Sequence, residues 1–374
     1  VRLVGECRAL APATLIAALV VVMSAGATMA CGTGATRRGA SVTAAGAAAC
    51  GGKNHLRAEG STAQQTAMLA FNQAWGKSCP GKDVTYVPTG SGAGREQFIA
   101  GHVDFAASDS PLVADQIGPA AARCDQNPAW DLPVVFGAIA MVYNLPGVPA
   151  LTLSGDALAE IFSGRITVWS DPILVALNPG VALPATKVQP VYRSDSSGTT
   201  DNLQKYLTIA APQSWSKGVA TEFLGGVGQG APKPDGVIGA VRATPGAIGY
   251  VDRGSADRAA MPYARIATGG GVTPLTGDTA ARAVSAIRFV ADGNDLVLDL
   301  DSVYGSQDPG AYPLMLAGYD IVCSKGYDAD TAGAIKSFLA SVAGNGQTAL
   351  SPAGYVPLPD NVKERLVAAI DAMQ

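Results

Sequence analysis

The sequence predicts an α/β fold in two lobes, on three observations. After residue 50 the chain alternates short apolar strands with helices marked by apolar residues at helical spacing. Two long, almost wholly apolar segments, residues 132–144 and 312–323, read as buried strands far apart in the chain. Finally, 374 residues are too many for one simple core. The chain is therefore expected to cross from one lobe to the other at the first long strand and to return at the second. That assigns 50–137 plus 316–374 to lobe I and 138–315 to lobe II.

The N-terminal residues read as a targeting segment. Arg2 and Arg8 precede an apolar run over 10–22, and small residues lead to Met29, Ala30 and Cys31. This is the layout of a secretory signal over 1–30. The run is too short and alanine-rich to favour a permanent membrane span. A cysteine straight after an alanine resembles a bacterial lipoprotein cleavage site. Cys31 is thus expected to carry lipid; the alternative is a plain secreted form. Residues 31–49 are rich in Gly, Ala, Ser and Thr without periodicity, and read as a flexible tether. The expected location is outside the cell, anchored by lipid to the outer face of the cell membrane.

An oxidising compartment directs the remaining cysteines, Cys50, Cys79, Cys124 and Cys323, towards disulfides. None lies in a C-x-x-C, and the only histidines are His55 and His102, which argues against zinc. Of three possible pairings, Cys50–Cys79 and Cys124–Cys323 are favoured. The first ties the two ends of a short strand–helix unit. The second joins segments that the lobe assignment places side by side.

The elements follow in order. A short strand at His55 ends at Gly60, Ser61 and Thr62, and a helix with Met68, Phe71 and Trp75 on one stripe comes next. Residues 83–88 alternate like a strand, and Gly90, Ser91 and Gly92 open a second helix. A third strand over 103–107 ends in Ser108, Asp109, Ser110 and Pro111. A helix is expected from Ser154, with Leu158, Ile161 and Phe162 facing in. The strand at 188–192 runs into Arg193, and a helix with Leu203, Tyr206 and Leu207 follows. Residues 225–239 are glycine-rich and read as a loop, 247–251 as a strand. Two helices close the chain, around Phe338 and around Leu366.

Several strands thus end in polar Gly/Ser loops at helix starts, and in open α/β sheets ligands sit beyond the carboxyl ends of strands. Free N–H groups and the helix dipole make such starts favourable for anions. Ser61, Thr62, Ser91, Ser197 and Thr199 add hydroxyls, and Arg193 adds a planar cation. Each loop alone could be an ordinary turn with an N-cap. Asp109 is different, because a carboxylate repels an anion and only accepts hydrogen bonds. It fits if the anion carries a proton, as hydrogen phosphate does near neutral pH and sulfate does not. Asp109 would then discriminate against sulfate.

At these residues the sequence resembles the phosphate-binding lipoproteins of bacterial phosphate ABC importers, most closely the actinobacterial kind. The motifs are G-S-T at 60–62, T-G-S-G-A-G at 89–94, A-A-S-D-S-P-L at 106–112 and R-S-D-S-S-G-T-T at 193–200. P-G-A-I-G-Y at 245–250 and Y-V-P-L-P at 355–359 also match, and the resemblance runs over about 53–374. It implies a type II periplasmic-binding-protein fold with two hinge-crossing strands and phosphate clamped in the cleft. The ligand contacts it implies are Thr62, Ala63 through its N–H, Ser91, Asp109, Arg193, Ser197, Gly198 and Thr199. It implies no cofactor and no metal. Its partners would be the transmembrane permease subunits of the importer, and the protein itself a monomer. Ala63 departs from relatives with a larger apolar residue there, and Ser196 from those with glycine.

Other classes have less support. Charged residues make up 15% of the chain and the net charge is −4, which argues against nucleic acid. Residues 296–303 (L-V-L-D-L-D-S-V) fit the pattern of aspartyl-phosphate phosphatases, whose first aspartate is the nucleophile beside Mg²⁺. Too little chain follows for that fold, and a solvated acidic turn is the simpler reading. G-x-S-x-G and G-x-x-x-x-G-K-[ST] are both absent. The expectation is a binding protein and no enzyme, with another oxyanion (sulfate, molybdate or tungstate) as the alternative ligand.

Overall fold

The computed structural model describes residues 50–374. The expected signal at 1–30, the lipid-bearing Cys31 and the tether to 49 lie outside the described residues.

The chain opens with β1 (His55–Gly60), α1 (Gln65–Ser78), β2 (Asp83–Val87), α2 (Ser91–Ile99), β3 (Phe105–Ser108) and α3 (Ala114–Arg123). β4 (Ala129–Tyr143) is followed by β5 (Thr152–Ser154), α4 (Gly155–Phe162), α5 (Pro172–Leu177), β6 (Gln189–Arg193) and α6 (Gly198–Ala210). Next come β7 (Gln229–Ala231), α7 (Lys233–Ala243), β8 (Ala247–Asp252), α8 (Arg253–Arg258), β9 (Arg265–Thr268), β10 (Gly271–Thr273), α9 (Gly277–Val284) and α10 (Asp301–Tyr304). β11 (Met315–Cys323), α11 (Ala329–Ala343) and α12 (Asp360–Ala372) complete it.

Eight strands form one sheet in the order β2-β1-β3-β11-β4-β8-β6-β7, and β10-β9-β5 form a small second sheet. β4 is the element that joins the two ends of the large sheet. Its residues Ala129 to Ala138 pair with β11, and Ile139 to Tyr143 pair with β8. It is buried from Asp131 onward, which is why its sequence reads as a continuous apolar run. At the change of partner, Leu314 O accepts from Ile139 N at 2.8 Å, and the Tyr312 hydroxyl donates to Ile139 O at 2.7 Å. The first half-sheet (β2, β1, β3, β11) and the second (β8, β6, β7) therefore meet along β4.

α1 buries Ala67, Met68, Phe71 and Trp75 and packs on α11. Trp75 meets the Phe338 ring edge-on at 5.5 Å, and its indole N–H donates to Ser337 Oγ at 2.9 Å. One apolar core runs from this layer through β4 to α4, α6 and α7. The two expected disulfides are formed. Cys50–Cys79 links a residue five positions before β1 to the end of α1, and Cys124–Cys323 links the end of α3 to the end of β11.

Two features depart from the sequence reading. The stretch 225–239, expected to be a loop, holds β7 and the start of α7. Its glycines mask a helical stripe, Val237, Ile238 and Val241, which is buried. β7 is only a three-residue edge strand, too short to show alternation. In addition, residues 287–298 belong by position to the middle of the chain, yet they pack on the first half. Leu296 N donates to Asp131 O, Asn361 donates to Ile287 O, and the Arg365 guanidinium lies over the Phe289 ring. Burial of Ile287, Leu296 and Leu298 draws this segment there.

Candidate functional site

The strand-end loops of both half-sheets converge. From the first half, β1 delivers Ser61, Thr62 and Ala63, α2 begins at Ser91, and β3 ends one residue before Asp109. These loops are stitched to one another: Ser61 N donates to Ala107 O and Gly90 N to Gly60 O, each at 2.8 Å. From the second half, β6 ends at Arg193, and Ser197 caps α6 by accepting from Thr200 N at 3.4 Å. The first-turn N–H groups of α6 have no intrahelical partner.

Asp109 is 2% exposed. Ser61 Oγ donates to its carboxylate at 2.6 Å, and Ser91 Oγ lies 3.4 Å from Oδ2. Gln64 Nε2 approaches Oδ1 at 3.4 Å, and the main chain of Asp109 donates back to Ser91 Oγ at 3.0 Å. Burial pushes its pKa up to about 6, while the bonds from Ser61 and Gln64 and the charge of Arg193 act against that rise. Asp109 is therefore a carboxylate at neutral pH, held rigidly and able to accept a proton.

Arg193 is 1% exposed. Its Nε donates to Asp195 Oδ1 at 2.7 Å, and Nη2 donates to the other carboxylate oxygen. Burial acts to raise the Asp195 pKa, but the bonds and charge of Arg193 and the bond from Lys233 N hold it below the usual range. The pair fixes the guanidinium plane and leaves Nη1 over. Among the described residues, Arg193 Nη1 and Thr199 Oγ1 are buried without a hydrogen-bond partner. Two desolvated donor groups without acceptors are costly unless something accepts from them.

The expected residues fall into two groups. Ser91, Asp109 and Gly198 meet directly: a Cβ on Gly198 would lie 2.4 Å from Ser91 Oγ and 2.6 Å from Asp109 Cβ. Arg193 is close enough to act electrostatically on Asp109. Thr62 and Ala63 lie between Ser61 and Gln64, both of which bond Asp109, and Ala63 O accepts from the Tyr355 hydroxyl at 2.6 Å. Ser197 and Thr199 flank Gly198 at the α6 start. Ser196, at the position where the resemblance leads to an expectation of glycine, has no left-handed backbone. Its hydroxyl donates to Thr221 Oγ1 at 2.8 Å, and its carbonyl accepts from Gly92 N at 3.4 Å.

Four side chains around the site were given no role by the sequence. Gln64 reaches Asp109 from the first residues of the α1 start, and Asp195 fixes Arg193. Asn202 and Tyr250 are the others. The Tyr250 hydroxyl accepts from Arg193 N at 3.1 Å and bonds Thr200 Oγ1 at 2.8 Å. The R-x-D spacing at 193–195 was the one available signal, since residues two apart on an extended chain share a face.

Comparison with known proteins places the chain. A family model described as a PBP superfamily domain matches residues 34–344. The phosphate-binding protein PstS 3 of Mycobacterium leprae is 46% identical over 342 residues, covering 91% of this chain and 92% of that protein. The phosphate-binding protein PstS 2 of Mycobacterium tuberculosis is 44% identical over 346 residues, covering 91% and 93%. Among solved structures, a high affinity periplasmic phosphate-binding protein, PfluDING, bound with phosphate, superposes with a TM-score of 0.70 at 24% identity, covering 84% of this chain and 93% of that one. A phosphate-binding protein from Stenotrophomonas maltophilia gives 0.64 at 19% identity, covering 84% and 94%. The chain belongs to the PBP superfamily and, within it, to the family of the bacterial phosphate-binding proteins PstS.

Proposed function

We propose that this protein binds inorganic phosphate between its two half-sheets and delivers it to the permease of a phosphate ABC importer. It acts as a binding protein and not as an enzyme. The observation that carries this reading is the coexistence of one buried acceptor, Asp109, with two unpartnered buried donor groups, Arg193 Nη1 and Thr199 Oγ1. A protonated tetrahedral anion satisfies both kinds of group at once. The names of the relatives and the phosphate in a structural neighbour support the same ligand.

In this reading the contacts are Thr62, Ala63 N–H, Ser91, Asp109, Arg193, Ser197, Gly198 and Thr199. The lobes are 50–137 with 316–374, and 138–315 apart from residues 287–298, which pack on the first, hinged along β4 and β11. The protein works as a monomer on the outer face of the membrane, with Cys31 lipidated and the permease as its membrane partner. Charge-assisted hydrogen bonds contribute about 1.5–3 kcal/mol each. Micromolar affinity needs only about 8 kcal/mol net, so several such bonds exceed dehydration and closure costs without a metal.

Isothermal titration of the purified protein with phosphate, arsenate and sulfate tests the reading. Phosphate and arsenate bind, because they share shape and protonation; sulfate does not at neutral pH. Arg193→Ala weakens phosphate about tenfold or more, the equivalent of about 1.4 kcal/mol. Sulfate binding as tight as phosphate in the unmutated protein would overturn the assignment.

A further inference from the structure

We propose that Asn202, together with Asp201, clasps the two halves of the cleft by bonds that need no ligand, making Asn202 a positioning residue for Asp109. Asn202 is fully buried in α6, on the second half. Its Nδ2 donates to the main-chain carbonyl of Asp109 at 2.7 Å and to Gly198 O at 2.8 Å. Its Oδ1 accepts from the Tyr304 hydroxyl at 2.6 Å. The amide can take only this orientation. Turned over, its oxygen would face two carbonyls, and neither could donate to it.

The adjacent residue repeats the connection. Asp201 Oδ2 accepts from Ser110 Oγ at 2.5 Å and is paired with Lys205 Nζ at 2.7 Å. Consecutive residues of α6 thus take hold of consecutive residues after β3. The same side chain that grips Asp109 also grips Gly198, which lies against Asp109 and Ser91. The acceptor and the α6 donors are thereby set relative to each other by protein-to-protein bonds alone. None of these bonds uses Arg193 Nη1 or Thr199 Oγ1. Closure and ligand contact are therefore separate contributions, and removing the clasp should loosen the closed state without removing a ligand donor. Tyr304 extends the clasp towards β11, since its hydroxyl also lies 3.3 Å from Met315 O.

The ligand affected is the one assigned above, so the phosphate arm of the test rests on that reading, whereas the ligand-free arm does not. The test uses Ser110→Ala, Asn202→Ala and Asn202→Asp. Small-angle scattering without ligand reads closure, and stopped-flow with inorganic phosphate reads the rates. Ser110→Ala and Asn202→Ala enlarge the ligand-free radius of gyration and raise the phosphate off-rate about tenfold, the scale of one or two net hydrogen bonds, with little change in on-rate. Asn202→Asp, which places carboxylate oxygens against two carbonyls, behaves like the alanine variant. A merely structural residue would lower the melting temperature but leave the ligand-free radius and the off-rate where they were. That result in Ser110→Ala, the variant least disruptive to folding, overturns the proposal even if Asn202→Ala does not fold. If the unmutated protein fails to bind phosphate while Ser110→Ala still expands, the ligand reading fails and the clasp stands.

Discussion

In the proposed reading Asp109 carries the chemistry that separates one oxyanion from another, and its protonation sets the pH at which it can do so. With its pKa pushed up to about 6, it is ionised above that value and accepts a hydrogen bond from protonated phosphate. Below it, Asp109 is a neutral acid and can donate to an oxygen of sulfate. Sulfate affinity, measured by titration calorimetry, should therefore rise as pH falls from about 7.5 to about 5. Asp109→Asn puts an N–H donor at that place at every pH, so it retains phosphate and binds sulfate with no such pH dependence. Equal sulfate affinity across the range in the unmutated protein would remove Asp109 as the selectivity device. This residue was legible in the sequence because an aspartate among hydroxyls at a strand end contradicts a plain anion site. Gln64 and Asn202 were not, since an amide side chain in a helix carries no sign of what it reaches across the fold.

Among the elements, the start of α6 is where the second half comes up against Ser91 and Asp109, and Gly198 is the reason it can. A Cβ there meets Ser91 Oγ and Asp109 Cβ at 2.4 and 2.6 Å, well inside contact distance. Both obstacles belong to the other half of the cleft, while the helix itself gains from alanine in place of glycine. Gly198→Ala is thus expected to leave each half folded, with at most a small fall in melting temperature from the lost Asn202 bonds, and to weaken phosphate by about a hundredfold, about 2.7 kcal/mol of blocked closure. Calorimetry and thermal melts on one preparation decide it; full phosphate affinity in the variant would show that closure does not bring these atoms together. The sequence pointed to this helix start because the S-G-T run supplies a cap and a small first residue. Most elements with a clean period were legible in the same way, such as α1 with its stripe from Met68 to Trp75. β7 and the start of α7 were not, because glycines at 225–239 hid a short edge strand and three apolar residues at helical spacing.

The whole molecule is braced covalently and weighted electrostatically, and the two act in different ways. The disulfides join cysteines 29 and 199 positions apart in the sequence. By chain-entropy reasoning such loops stabilise by about 3–4 and about 5 kcal/mol. The electrostatic weighting comes from carboxyl groups buried in the first half. Burial pushes Asp131 up to about 8 despite bonds from Leu112 N, with Asp295 nearby adding to the rise. Asp320, whose two carboxyl oxygens have no partner, is raised well above the ordinary range by burial alone, and Asp109 lies at about 6. Each of these groups keeps its proton in the folded state over a pH range in which the unfolded chain has released it. The folded state then binds more protons than the unfolded one, so stability falls as pH rises through that window. For Asp109 and Asp131 the window runs from the ordinary value of 3.8 up to about 6 and about 8. Melting temperatures in phosphate-free buffer should therefore decline from about pH 5 to about pH 8, the reverse of a protein held by carboxylate salt bridges. Asp131→Asn preserves an acceptor for Leu112 N and should flatten the upper part of that decline, above about pH 6. A melting temperature that rises over the same range would mean that Asp131 is ionised in the folded protein, stabilised by a cation or solvent that reaches it behind β4.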